Sequence, residues 1–151
     1  MLKGISPLVS PELLATLASM GHGDEIVLAD AHFPGHSCNE NVIRADGLMI
    51  DDLLEAILPL YELDHAIDDP VRMMQPSDEE LADGSIASAY ETVVSGYQAT
   101  LDKAAPGKPS ISRISRFEFY DHASTSFAVV MTGDTRIYAN LLLAKGVTPT
   151  E

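Results

Sequence analysis

Apolar positions along this chain switch repeatedly between a 3.6-residue rhythm and short unbroken runs. Leu13, Leu14, Leu17 and Met20 repeat at helical spacing behind Ser10-Pro11. Ser10 can cap, and proline at the first helical position gives up only an N–H that has no partner there. Gly21 is expected to close this helix in a left-handed conformation. Residues 25–30, E-I-V-L-A-D, are too short for a helix and apolar without alternation, which predicts a strand covered on both faces. Phe33-Pro34-Gly35 predicts a loop over 30–37, and Asp46-Gly47 a turn. A helix is expected over 51–60, with Leu53, Leu54, Ile57 and Leu58 on one face and acids at its start, where the helix dipole favours them.

The same two rhythms continue to the end. A strand is predicted over 71–75, an acidic surface loop over 76–84, and a long amphipathic helix through Ile86, Tyr90, Val93, Val94, Tyr97 and Leu101. Residues 104–109 read as a linker, 111–114 as a strand, 116–124 as a short helix and 127–131 as a strand. Thr132-Gly133-Asp134 is a turn, and a final strand is expected over 136–143, closed by Lys145-Gly146. Helices alternating with strands and no internal repeat predict an α/β fold. The expected architecture is a single domain over residues 1–151, with helices on both faces of a mixed, mostly parallel sheet.

Composition narrows the function classes. The chain has 151 residues, 46% of them hydrophobic, which suits one core and is too apolar for a disordered acidic protein. No apolar run approaches a membrane span, and Met1-Leu2-Lys3 leads into no secretory h-region. Nine basic against 23 acidic residues give a formal charge of −14, unsuited to a nucleic-acid partner. Six of the nine basic residues follow position 100, while acids crowd the middle. That is a solvated face or one side of a subunit contact. The single cysteine, Cys38, forms no intrachain disulfide and fits a reducing cytoplasm.

The candidate chemistry gathers in M-G-H-G-D-E-I-V-L-A-D-A-H-F-P-G-H-S, residues 20–37. His22 lies in a glycine-flanked turn, and Asp30 ends the following strand, at the edge where open α/β sheets place ligands. An imidazole and a carboxylate so placed can act as an acid–base pair, since an unperturbed imidazole exchanges protons near neutrality. The competing reading is a histidine that complements a helix C-terminus. His32 and His36 are four apart, and with His22 and Asp30 they offer a possible metal set, although Pro34 and Gly35 oppose the helix that would align them. His65 and His122 have no evident partners and read as surface residues, and a surface salt bridge accounts for Arg113 and for Arg116. Alternation along the predicted last strand puts Tyr138 and Asn140 on one face and Ala139 on the other. A phenol and a carboxamide there would suit a polyhydroxyl ligand, but read alone Tyr-x-Asn is barely a signal, since two polar residues on an exposed strand face are ordinary.

Longer motifs are more specific. G-H-G-D-E and D-A-H-F-P, the M-L-K-x-I-S-P-L opening, I-R-A-D-G-L, R-I-S-R-F-E-F-Y and Y-A-N-L-L-L-A-K-G follow one another along nearly the whole chain. In these the sequence resembles the FucU/RbsD family of sugar mutarotases, and His32-Phe33-Pro34 is similar to its fucose type. Residues 77–84 and 104–109 depart from the family pattern, which loosens the inference to substrate preference and subunit packing.

The resemblance implies an enzyme that interconverts the α and β anomers of L-fucose or a related aldose without metal, nucleotide or redox cofactor. It implies His22 as proton donor; which residue takes the anomeric hydroxyl proton stays open, with Tyr138 the best candidate. It assigns Asp30, Arg116, Tyr138, Ala139 and Asn140 to sugar binding. It also implies a homo-oligomer, a decameric ring of two stacked pentamers with sites near subunit contacts. Two rival classes stay open from the residues: a metal-dependent sugar isomerase or epimerase using the histidines, and a non-catalytic sugar-binding protein on the same fold.

Overall fold

The computed structural model describes residues 1–150. Its helices are α1 (Pro11–Ser19), α2 (Gly35–Cys38), α3 (Ile50–Ile57), α4 (Asp78–Leu81), α5 (Gly84–Ala104) and α6 (Arg116–Thr125), with one 3-10 turn at Leu58–Leu60. Its strands are β1 (Glu25–Ala29), β2 (Val42–Ala45), β3 (Val71–Met74), β4 (Ser112–Ile114), β5 (Ala128–Thr132) and β6 (Leu141–Ala144). They form one sheet in the order β2-β5-β1-β6-β3-β4. β1–β5, β2–β5 and β3–β4 run parallel, and only β6 runs against its neighbours β1 and β3.

Both faces of the sheet are covered, so the strands can be apolar without alternating, as the sequence predicts. Ile26 and Leu28 of β1, Ala128 and Val130 of β5, and Leu141 and Leu143 of β6 join the larger core beneath α1, α3 and α5. The intervening Val27, Ala29, Val129, Met131 and Leu142 face the other way, onto Phe33 and onto Phe119 and Ala123 of α6. This is the three-layer α/β arrangement expected. Phe33 meets Phe119 edge-on at 5.8 Å between ring centres. Such pairs add about 0.5–1.5 kcal/mol beyond the area they bury, and this one fastens the turn after β1 onto α6.

Local readings differ from the structure at several places, each with a physical cause. Ser10 caps α1 as expected, its side chain accepting the Leu13 N–H, but Gly21 is not left-handed. Met20 closes the helix in an extended conformation, and the positive φ falls at Gly23 (86°), because the Asp24 carboxylate draws in the Gly21 N–H at 2.7 Å. β2 is too short and too polar at Arg44 to be read from pattern, being an edge strand paired only with β5. The 30–37 loop contains the single turn α2, and Gly35 fits there because a Cβ would lie 2.5 Å from the Met131 sulfur. The acidic 76–84 loop contains α4, held by a capping box in which Ser77 and Glu80 satisfy each other's N–H groups.

The predicted last strand is the largest difference. β6 begins only at Leu141, and residues 136–140 form a turn in which Tyr138 is left-handed, with φ 56°. Buried Asp134 accepts hydrogen bonds from the Arg136 backbone and guanidinium and from the Ile50 N–H. Burial alone would push its pKa up, but these donors hold it below the usual carboxylate range. Arg136 also pairs with Asp51, and the Tyr97 hydroxyl donates to the Ala139 carbonyl at 2.8 Å. Partners from outside the sheet thus take the groups that a ladder would have used.

Candidate active site

The parallel strands β1, β3 and β4 end on the same edge of the sheet, and Asp30, Gln75 and Ser115 follow them. A hollow of about 180 Å³ opens there, lined by Asp30, His32, Phe33, Pro34, Met74, Arg116, Tyr120, Ile137, Tyr138 and Asn140. Arg116 and Tyr138 also line an adjoining hollow of about 530 Å³ beneath α4. The edge expected from the sequence is the edge at which the groups converge.

Each polar wall has a structural origin. The side chain of Asn140, 3% exposed, accepts the Asp30 N–H at 2.8 Å, which ties the end of β1 to the start of β6. Its amide NH₂ points toward the Met74 sulfur at 3.9 Å, a weak acceptor, and also lies beside the Asp30 carboxylate, where it opposes the upward push of burial. The Asp30 carboxylate accepts the His32 N–H at 2.9 Å. Burial pushes the Asp30 carboxyl up, against the opposing effect of that hydrogen bond. Arg116 begins α6, with its guanidinium 5.1 Å from the Phe117 ring centre. Tyr138 donates its hydroxyl to Glu80 at 2.6 Å. Its phenol is pushed up to about 12, first by burial and then by Glu80, while Glu80 is held low by Tyr138 and Ser77.

Tyr138 and Asn140 therefore do share a site, but through the left-handed turn and not through strand alternation. That turn directs Ala139 away: its side chain is fully buried and its carbonyl is taken by Tyr97. His32 borders the hollow, whereas His36 is exposed and lies 3.4 Å from Arg44.

His22 is not brought to this edge. It precedes β1, whose length of 5 residues spans about 17 Å at ~3.3 Å per residue, and Asp30 follows it. The turn carrying His22 is anchored to the other end of β6 by Gly23 N–H to Lys145 O and Lys145 N–H to Asp24 O, both 2.8 Å. Asp64 is held nearby by its own N–H to Ala144 O at 3.0 Å. The expected His22–Asp30 pairing is replaced by His22 Nε2 to Asp64 Oδ1 at 3.1 Å. The Ala66 N–H, and after it His22, keep the buried Asp64 below the usual carboxylate range. The candidate metal set is thereby divided between opposite ends of the sheet. Among the described residues no three His, Cys, Asp or Glu side chains converge as metal ligands.

Asp64 and Glu80 are the partners of His22 and Tyr138 that sequence reasoning missed. Ser77-x-x-Glu80 is a capping-box signature and could have flagged the second; nothing local marks the first. The remaining histidines are also partnered, His65 by Glu62 at 2.7 Å and His122 by Glu25 at 2.9 Å. Arg113 forms the salt bridge expected of it, to Glu91.

A titration follows from Asp30. Its folded-state pKa is raised above the ordinary 3.8, so folding favours the protonated form. The stability this contributes is full below 3.8 and is lost as pH rises through the folded value. Asp30→Asn keeps an oxygen for the His32 N–H and removes the buried charge. It is expected to melt higher than the native chain at pH 7, with the advantage vanishing below pH 3.8. Melting curves across that range check it, and a lower melting point for Asp30→Asn at pH 7 would refute it.

Comparisons with known proteins bear on the family and the fold. The chain matches the RbsD / FucU transport protein family over residues 3–148. It is 49% identical over 149 residues to an L-fucose mutarotase of Haemophilus influenzae (strain 86-028NP), covering 99% of both chains. Among solved structures, it is similar to the fucose mutarotase in complex with L-fucose from Streptococcus pneumoniae, at TM-score 0.82 and 38% identity over 98% of this chain and all of that one. It is also similar to FucU from Bifidobacterium longum, at TM-score 0.87 and 33% identity over 97% of this chain and all of that one. With its mixed six-stranded sheet and a polar hollow at the strand ends, this chain belongs to the RbsD/FucU family.

Proposed function

We propose that this chain, acting over its whole length as one domain, is a mutarotase that interconverts the anomers of L-fucose or a closely related aldose. The observation that carries this reading is the full-length likeness to L-fucose mutarotases, one of them solved with L-fucose bound. The hollow supports it chemically. Asp30 offers an acceptor, and Arg116 and the Asn140 NH₂ offer donors, beside the apolar surfaces of Phe33 and Tyr120. Donors, acceptors and apolar faces are what a deoxy sugar needs.

Ring opening needs only proton transfers from the protein. The anomeric O1–H loses its proton, C1=O1 forms, the C1–O5 bond breaks, and O5 takes a proton. Rotation about C1–C2 and reclosure on the other carbonyl face give the second anomer. In our reading protonated His22 supplies O5, Tyr138 exchanges the O1 proton, and Arg116, Asp30 and Asn140 hold hydroxyls. Because His22 and the hollow lie at opposite ends of β1, the acid comes from a neighbouring copy. That supports a homo-oligomer, which we take to be a decameric ring in the cytoplasm. No helix among the described residues is long and apolar enough to cross a membrane.

Saturation-transfer NMR of anomer exchange over a panel of aldoses tests the activity. Acceleration at catalytic protein concentrations, greatest for L-fucose, is expected; if no aldose is accelerated, the chain is not a mutarotase.

A further inference from the structure

The O1 proton needs a destination that the mutarotase assignment leaves open. Tyr138 is pushed up to about 12, so at neutral pH it is a neutral phenol, and a neutral phenol is a negligible base. It can take the proton from O1 only as its own proton leaves. Its hydroxyl is already committed as a donor to Glu80 Oε2 at 2.6 Å. Glu80 is fixed for this by the capping box, its Oε2 also accepting the Ser77 N–H and the Ser77 hydroxyl, both at 3.0 Å. Tyr138 for its part is fixed by its left-handed backbone and by the Tyr97 bond to the next carbonyl.

We propose that Glu80 is the positioning residue and terminal proton acceptor of a Tyr138–Glu80 relay, a role that rests on the mutarotase reading. As the O1–H bond breaks, its proton passes to Tyr138 Oη and the Tyr138 proton passes to Glu80 Oε2. The O1–H electron pair forms C1=O1, and the C1–O5 pair goes to O5, which is protonated by His22. Reclosure reverses each transfer, and Glu80 returns its proton through Tyr138 to O1. The relay gives an otherwise inert phenol the basicity of a carboxylate. It also places part of the machinery on α4, inside the 77–84 segment where the sequence departs from the family pattern.

The charged and titratable groups facing the pair are few. Arg116 and Tyr120 approach from α6, and Asp78 and Glu79 stand beside Glu80 on α4. Arg116 steadies the Glu80 carboxylate between turnovers, consistent with Glu80 lying below its ordinary range.

The test is a double-mutant cycle of Glu80→Gln and Tyr138→Phe, read as anomer exchange of L-fucose together with the ultraviolet titration of Tyr138. Gln keeps an oxygen for the Ser77 N–H, so melting curves should stay close to native. Glu80→Gln alone should slow exchange on the order of tenfold, less than the ~10²–10⁴ of a whole acid–base group because the phenol stays in place. In the Tyr138→Phe background it should have no further effect, since the relay is already cut. The Tyr138 titration should move down from about 12 in Glu80→Gln simply because the neighbouring charge is gone, which verifies the contact. The relay itself is read from the pH profile, where native exchange should fall in acid as Glu80 protonates, below its ordinary 4.5, and this limb should be absent in Glu80→Gln. An equal slowing by Glu80→Gln in both backgrounds, or native exchange in Glu80→Gln, overturns the relay alone. A native protein that accelerates no aldose overturns the mutarotase reading and the relay with it.

Discussion

His22→Gln is expected to slow anomer exchange by about 100-fold or more while leaving the fold intact. The side chain is half exposed in a turn, and its one side-chain bond is to Asp64 at 3.1 Å. Glutamine can still donate to Asp64, so the turn keeps its shape; what it cannot do is carry a titrating proton to a ring oxygen. The turn itself is held by backbone bonds to Lys145 that the substitution does not touch. Exchange rates and melting curves measured on the same preparation separate the two effects. Native exchange in a well-folded His22→Gln would remove His22 as the donor.

Mixing gives the second large effect. His22→Gln and Tyr138→Phe damage groups at opposite ends of β1, and each variant alone should be nearly inactive. If a site takes its acid from one copy and its hollow from the next, hybrids formed by dissociating and reassembling an equal mixture restore some sites. The restored site pairs a Tyr138→Phe copy, giving His22, with a His22→Gln copy, giving Tyr138. Random assembly yields about a quarter of sites intact. A site complete within one chain would gain nothing from mixing. A reassembled mixture no faster than its two parents would exclude the shared site, provided native mass spectrometry with one parent isotope-labelled shows that hybrids have formed.

What the sequence made legible follows from which signals are local. The 3.6 period of α5 and the unbroken apolar run of β1 report burial directly, so both were readable. β2 was not, since four residues containing an exposed arginine carry too little pattern, and only β5 makes them a strand. Tyr138 and Asn140 line one hollow, but not through side-chain alternation; a turn set by Asp134, Arg136 and Tyr97 places them there. His22 and Asp30 are close in sequence, yet an extended strand is the conformation that carries neighbours furthest apart. Asp64 had no legible role, because its meeting with His22 depends on β6 joining two distant segments.

β6 has a consequence for how the chain folds. It is the last strand in sequence but lies between β1 and β3 in the sheet. Until it inserts, β2-β5-β1 and β3-β4 are two half-sheets with unpaired edges, as on a chain still leaving the ribosome. Joining them is a late, long-range step, so the amides of β1 and β3 that face β6 should gain protection from hydrogen exchange in one phase. Protection of β1 well before that of β3 would contradict this. Asn140 stands at one end of this strand and Lys145, which anchors the His22 turn, at the other. A single insertion therefore sets both the hollow at the strand ends and the His22 turn, so the two parts of the proposed chemistry form at the same moment.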